Sequence, residues 1–190
     1  MKKIGALVSI MLLALTAFAQ SKSWIVPTHK PLLADIHYSN RVGGEIAQEG
    51  RTQKLICLEK DSRLTSIQVN VTAAKNVVKG LKMSIRDANN LERILAFGDT
   101  TGIWQEKITL KRNQKLVGIS GQSGWFIDAI RFHFSEGSQT RLFGGRGGDV
   151  AFSQIFNRSK KGYYKGRWIG FYGSSTDQLE TIGLVFMAVE

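Results

Sequence analysis

The chain has 190 residues, with 26 Lys and Arg against 15 Asp and Glu, a formal charge of +11, and a single cysteine. One cysteine excludes an internal disulfide, so stability has to come from a buried core, and a chain of this length can bury one as a single domain. The positive balance points to anionic partners, and for an exported protein these are acidic polysaccharides or anionic surfaces, with nucleic acid not expected.

Lys2 and Lys3 precede an apolar run from Ile4 to Phe18, with small residues at Ala17 and Ala19. This is the pattern of a secretory signal peptide over residues 1–19, cleaved after Ala19. The run is short for a membrane span, and no later stretch is long and apolar enough to be one. The mature protein is therefore expected to be secreted or periplasmic, with no transmembrane segment. Loss of Lys2 and Lys3 lowers the formal charge from +11 to +9. Residues 20–40 carry Trp24, Pro27 and Pro31 and read as an extended segment wrapping the outside of a domain over 41–190. Cys57 sits in the apolar run Leu55 to Leu58 and reads as a small buried hydrophobe.

Further along, Ile67 to Val71, Leu81 to Ile85 and Ile130 to Phe134 alternate apolar and polar residues, so each puts one face into a core. Gly-Ser clusters separate such runs at Gly121–Gly124, Gly144–Gly148 and Gly173–Ser175, and no mature stretch shows sustained helical periodicity. The expectation is an all-β fold of short strands and hairpins. Basic residues cluster over Lys107–Arg112 and Arg158–Arg167. Asn70 and Asn157 open sequons that a eukaryotic secretory pathway could glycosylate.

The C-terminal half repeats itself. Leu116–Phe134 is echoed by Trp168–Phe186, with Gly118 matching Gly170, Gly121 matching Gly173, Asp128 matching Glu180 and Ile130 matching Ile182, all offset by 52. A weaker copy runs over Val77–Ile85 if one residue is slipped, so that Gly80 meets Ala129, Leu81 meets Ile130 and Lys79 takes the acidic position. A fixed period marks one supersecondary unit used several times. Three such β-units can close around a pseudo-threefold axis, each sheet burying its inner face against the others.

The run Gly121–Phe132, followed by Gly144–Gly148 and Ile169–Ser174, resembles the jacalin-related lectins, well from about Lys115 to Phe186 and more thinly over Arg41–Leu110. The resemblance implies a β-prism of three antiparallel four-stranded sheets, with sugar sites at one end and no metal ion or cofactor. In such lectins a Gly-x-x-x-Asp loop faces a glycine-rich loop. A carboxylate accepts two sugar hydroxyls, and backbone N–H groups donate to their oxygens.

The Gly-x-x-x-Asp pattern is intact here as Gly124, Trp125, Phe126, Ile127 and Asp128. By analogy Gly144, Gly145, Gly147 and Gly148 line the facing wall, and Trp125 or Phe126 offers an aromatic face to a sugar ring. A candidate second site combines Gly43 and Gly44 with Thr176, Asp177, Gln178, Leu179 and Glu180. It departs from the pattern, since threonine replaces the glycine and Glu180 is one methylene longer than aspartate. Asp177 is the short carboxylate available there. Lys79 at the acidic position leaves the first unit without a site of this kind.

Plainer roles stay open on the residues alone. An aspartate in a tight glycine turn often accepts its own loop's N–H groups, and Trp125, Phe126 and Trp168 equally suit a core or sheet face. His29, His37 and His133 lack metal-ligand spacing, and neither a dinucleotide fingerprint nor a nucleophile elbow is present. Asp128 and Glu180 occupy equivalent places on different units and are not expected to face one another as a glycosidase pair. The expected function is non-catalytic binding of glycans, either neutral mannose- or glucose-type or acidic polysaccharide. A weak single site gains avidity through repeated sites or homo-oligomerisation. A basic-patch binder of acidic polysaccharides or anionic surfaces, and an adhesion or assembly module without sugar specificity, are the alternatives.

Overall fold

In the computed structural model, which describes residues 36–44, 53–59, 61–155 and 166–188, the alternating runs extend into strands, and no helix occurs among the described residues. The strands are β1 (Ile36–Tyr38), β2 (Val42–Gly43), β3 (Gln53–Cys57), β4 (Arg63–Val71), β5 (Val78–Arg86), β6 (Glu92–Gly98) and β7 (Ile103–Trp104), followed by β8 (Ile108–Thr109), β9 (Leu116–Ser123), β10 (Ile127–Phe134), β11 (Phe143–Gly144), β12 (Val150–Ile155), β13 (Gly166–Ser175) and β14 (Leu179–Ala188). They make three antiparallel sheets. The first has the order β6-β5-β4-β7, with β8 also on β4; the second is β11-β10-β9-β12; the third is β1-β14-β13-β3, with β2 also on β14. Each sheet is four positions wide around one long hairpin, which is the three-sheet prism expected.

The third sheet joins the two ends of the chain, because β1, β2 and β3 flank the C-terminal hairpin. Ile36, His37 and Tyr38 pair with Met187, Phe186 and Val185, and the His37 ring stacks on Phe186 at 5.5 Å. The end of the 20–40 segment is thus an edge strand of the sheet rather than an external wrap. It gives β14 a partner for backbone groups that an open edge would leave unpaired. Residues 20–35, and the whole expected signal peptide, lie outside the described residues.

Strand alternation puts Ile67, Leu81 and Met83 of the first hairpin, Ile119, Ile130 and Phe132 of the second, and Phe171, Ile182 and Leu184 of the third in full burial. β5, β10 and β14 touch pairwise, so the three inner faces meet along the prism axis. Each such side chain contributes roughly 1.5–3 kcal/mol by leaving water. Cys57 is half-buried, and burial pushes its thiol up to about 11, which leaves it protonated and inert at neutral pH. Asn70 is fully buried and its Nδ2 donates to Asp99 O at 2.9 Å, so in the folded protein this sequon is closed to glycosylation.

The registers establish how the repeat works. Gly121 faces Ile130 and Gly173 faces Ile182, so the offset of 52 seen in the sequence is kept in the pairing. In the first hairpin Val71 faces Val78 across a turn over 72–77, whereas Ser123 faces Ile127 and Ser175 faces Leu179 across much shorter turns. The slip needed to align the first unit is this longer turn. Beyond it, Gly80 takes the place of Ala129 and Lys79 the place of Asp128.

Candidate functional site

Each long hairpin is interrupted just after its turn by one residue that has no partner across the ladder. Ile127 pairs with Ser123 and Ala129 with Gln122, so Asp128 is extra. Leu179 pairs with Ser175 and Thr181 with Ser174, so Glu180 is extra. Val78 pairs with Val71 and Gly80 with Asn70, so Lys79 is extra. A β-bulge of this kind kinks the strand and re-aims a side chain. The acidic position is therefore a bulge at one end of the prism, repeated three times.

The bulge also creates the need for glycine opposite it. The carbonyl freed from the ladder accepts an N–H from the facing loop: Gly145 N–H to Asp128 O at 3.0 Å, Gly44 N–H to Glu180 O at 3.1 Å, and Asp99 N–H to Lys79 O at 2.9 Å. The residue before each donor is a glycine with positive φ, Gly144 at 98°, Gly43 at 105° and Gly98 at 88°. A Cβ on any of them would run into that same carbonyl. These glycines are required by the backbone geometry, whatever else the loops do.

In the second unit the two loops converge on the Asp128 carboxylate. A Cβ at Gly147 would lie 2.6 Å from Oδ1 and one at Gly148 would lie 2.5 Å from Oδ2, so the backbone approaches the carboxylate on both oxygens. The Gly124 N–H closes the hairpin turn on Phe126 O at 3.0 Å. Asp128 is half-buried, and burial raises its pKa against the opposing effect of hydrogen bonds from the Gly124 and Asp128 backbone, with the Asp149 charge raising it further. Its surroundings therefore disfavour the ionised form. The carboxylate nonetheless accepts N–H groups of its own turn, from Gly124 and from Asp128 itself.

The aromatic residues divide. Trp125 stands 72 % exposed on the turn, available as a platform, and Phe126 is half-buried. Ile127 is fully buried, so only its backbone borders the site. Trp168 is core, packed on Phe171 at 5.0 Å. Arg146 and Asp149 are exposed on the glycine loop and set opposite charges beside the mouth.

The candidate second site lies on the third hairpin's turn and bulge, with the Gly43–Gly44 loop against them. Glu180 is buried on its bulge and accepts the Thr176 hydroxyl at 3.1 Å, beside Gly43 and Gly44, and Leu179 is fully buried. Asp177 Oδ1 lies 3.1 Å from the same Thr176 hydroxyl, and Asp177 and Gln178 also line a cavity against Thr101 and Gly102 of the first unit. In the first unit, the loop Gly98–Gly102 occupies the position of Gly144–Gly148. There Asp99 Oδ2 meets Lys79 Nζ at 2.7 Å, and Thr101 Oγ1 accepts from Nζ at 2.9 Å and donates to Asp99 Oδ2 at 2.7 Å. The Lys79 ammonium first, helped by Thr101, holds the Asp99 carboxyl down at about 2.

Sequence reasoning missed Gly98–Gly102. The available signal was the glycine spacing of four, shared by Gly98 and Gly102 with Gly144 and Gly148. Of the expected basic clusters, Lys107, Lys111 and Arg112 are exposed, while residues 158–165 lie outside the described set. Among the described residues no group of three or more His, Cys, Asp or Glu side chains is placed to hold a metal ion.

Comparison with known proteins agrees with this fold. Malaysian banana lectin aligns over 80 % of this chain and 99 % of its own, at 15 % identity and a TM-score of 0.61. Calystegia sepium agglutinin aligns over 82 % and 98 %, at 18 % identity and 0.61. A mannose-binding jacalin-related lectin from Ananas comosus aligns over 81 % and 99 %, at 18 % identity and 0.60. No curated protein matches. The family model for the jacalin-like lectin domain matches residues 34–133 and 58–185, which together cover all three sheets, and the chain belongs to that family.

Proposed function

We propose that this protein is a lectin whose working site is the Asp128 bulge and the glycine loop Gly144–Gly148. The observation that carries the reading is the half-buried Asp128 carboxylate, approached by the Gly147 and Gly148 backbone on both oxygens. A sugar diol offers two hydroxyl donors to those oxygens, and the loop amides can donate to the diol oxygens in return. Gly124 to Ile127 supply backbone, and exposed Trp125 supplies an apolar face for a pyranose ring. Nothing in this arrangement calls for a catalytic step.

Relatives of the same fold include a lectin from Ananas comosus described as mannose-binding and artocarpin solved with mannopentose. Neutral mannose-type glycans are accordingly the ligands proposed here. A single shallow site holds a monosaccharide at about millimolar strength, near −4 kcal/mol. Avidity then comes from multivalent display, through homo-oligomers or clustered glycans. With its basic, apolar leader, the protein is proposed to act outside the cytoplasm, in the periplasm or beyond the cell.

A glycan array at low and high salt, run beside Asp128→Ala, tests the proposal. Binding of neutral glycans that resists salt and is lost in the variant supports it. Binding confined to sulfated or uronic chains, abolished by salt and indifferent to Asp128, refutes it and moves function to the basic surface, because only interactions between exposed charges are screened.

A further inference from the structure

The outer faces of the three sheets are finished differently. Directly opposite one another on the long hairpins stand Gln68 and Lys82 in the first sheet, Ser120 and Arg131 in the second, and Tyr172 and Gly183 in the third. These positions face away from the prism axis, because their chain neighbours Ile67, Leu81, Ile119, Ile130, Phe171 and Ile182 fill the core. In the third sheet the tyrosine covers its neighbour: a Cβ at Gly183 would lie 2.2 Å from the Tyr172 ring, whose hydroxyl donates to Ser39 O. In the first sheet the cation has an aromatic partner, since Lys82 Nζ stands 4.3 Å from the centre of the Trp104 ring. The second sheet has neither arrangement.

Beside Arg131 the floor is built from small residues. Ser153 of β12 faces Ser120, Ala151 faces Gln122 and Ile155 faces Gly118, and all three β12 residues are exposed. The Ser153 hydroxyl has no hydrogen-bond partner among the described residues. His133, on the same face two residues beyond Arg131, meets Ser120 Oγ through Nε2 at 2.7 Å. Arg131 itself is half-buried, and its Nε is buried with no acceptor. Among the described residues no carboxylate pairs with its guanidinium. Burial, and then the Arg131 charge, hold the His133 ring below its ordinary pKa, with no carboxylate among the groups acting on it. A partly desolvated guanidinium without a counter-charge is a donor set for an oxyanion, because its planar fork matches two oxygens of a sulfate or carboxylate. The buried Nε holds the stem on the sheet and leaves the end nitrogens to meet the ligand.

We propose that the outer face of the second sheet is a separate binding surface, which takes the sulfate or carboxylate group of an acidic polysaccharide at Arg131. The end nitrogens of the guanidinium donate to two oxygens of the anion, and Ser153 donates its hydroxyl. With its proton on Nε2, His133 donates to Ser120 Oγ and leaves the Ser120 proton for the anion. The polysaccharide lies along the low floor of β9 and β12, with Ile155 against a ring face. The formal charge of +11 draws such a chain in. A polymer suits this face better than a free ion, since one arginine on an open floor holds a lone anion weakly and repeated anions along a chain add avidity. Arg131 stands three residues along β10 from the Asp128 bulge, about 10 Å, so this flank is distinct from the site at the prism end.

The test is a ¹⁵N-HSQC titration of the purified protein with a heparin tetrasaccharide, a galacturonate tetrasaccharide, inorganic sulfate and methyl α-mannoside. The expected result is that an acidic tetrasaccharide shifts the amides of Ser120, Arg131, His133 and Ser153, leaves Gly147 and Gly148 in place, and binds more weakly as salt is raised. Which of the two tetrasaccharides acts identifies the anion as sulfate or carboxylate. Arg131→Gln and Ser153→Asp, the second placing a carboxylate beside the bound anion on an exposed edge strand, each weaken binding at least tenfold while the thermal melt stays as in the parent. Affinity within about twofold of the parent in both variants overturns the proposal, as do shifts confined to Lys107–Arg112. Movement of the Arg131 set by inorganic sulfate alone, or equally by methyl α-mannoside, also overturns it.

Discussion

Gly147→Ala separates a carboxylate that binds from one that only braces its loop. Gly147 is exposed and its φ is not positive, so alanine is tolerated by the backbone, but its Cβ would lie 2.6 Å from Asp128 Oδ1 where ordinary contact begins at 3.4 Å. The carboxylate must give way by about 0.8 Å. A charge-assisted bond of roughly 2.5–2.7 Å from a sugar hydroxyl is stretched by that amount past the useful limit. Hydrogen bonds to charged groups contribute about 1.5–3 kcal/mol each, so losing one weakens binding about 10- to 150-fold.

Stability should barely respond to the same change. Removing a flexible glycine from the unfolded chain stabilises by about 0.4–1 kcal/mol, and displacing the Asp128 rotamer costs about 0.5–1.5 kcal/mol. The two nearly cancel, so the melting temperature should stay within about 3 °C of the parent. The assay is a glycoside titration by NMR beside a thermal melt. Affinity within about twofold of the parent, in a protein that melts normally, would refute the placement of sugar on Asp128.

Other perturbations have equally definite outcomes. Gly144→Ala forces alanine to φ near 98° and into the Asp128 carbonyl, and is expected to cost about 2–4 kcal/mol, read as a drop of several degrees in a melt. For Asp128 the folded pKa is raised, so the associated stability is present below the unfolded value and lost as pH rises through the folded one; Asp128→Asn should melt no lower than the parent at pH 7 while losing sugar binding. Sugar affinity of the parent should also begin to fall at a pH above the usual carboxylate range, measurable as a titration of the dissociation constant. Asp99 is depressed to about 2, so its stabilisation is present above an ordinary carboxylate pKa near 4 and lost as pH falls from there toward 2. Discounted for solvent screening this is about 1 kcal/mol, and Asp99→Asn should flatten the acid limb of the melting profile.

The core was legible in the sequence because it depends on side-chain period. Ile67–Val71, Leu81–Ile85 and Ile130–Phe134 all lie in the long hairpins, and the offset of 52 survives as pairing register. Asp128 and the loop Gly144–Gly148 were legible because the second unit keeps a short turn and an unbroken glycine run. The bulges were not, since an unpaired residue leaves no mark in composition. The first unit's loop was also hidden. Its turn is longer, its connection from β5 to β6 differs in length from that between β10 and β11, and Asp99 stands where glycine would have advertised the match. The end of the 20–40 segment was misplaced for a related reason: β1 is only three residues long and pairs with the far end of the chain.

What the three units share and where they differ points to how this prism is divided between stability and binding. The bulge carbonyl, the amide that bonds it and the positive-φ glycine recur in all three, because they close the sheet end and leave no room for alternatives. The bulge side chain is under no such constraint, since it has left the ladder, and it reads Lys79, Asp128 and Glu180 in turn. The Lys79 ammonium is paired with Asp99, which stands where the other two units have Gly145 and Gly44. Change at one bulge is thus matched by a second change on the loop that faces it. Recognition at the prism end should accordingly be traced by each bulge side chain together with the loop that faces it.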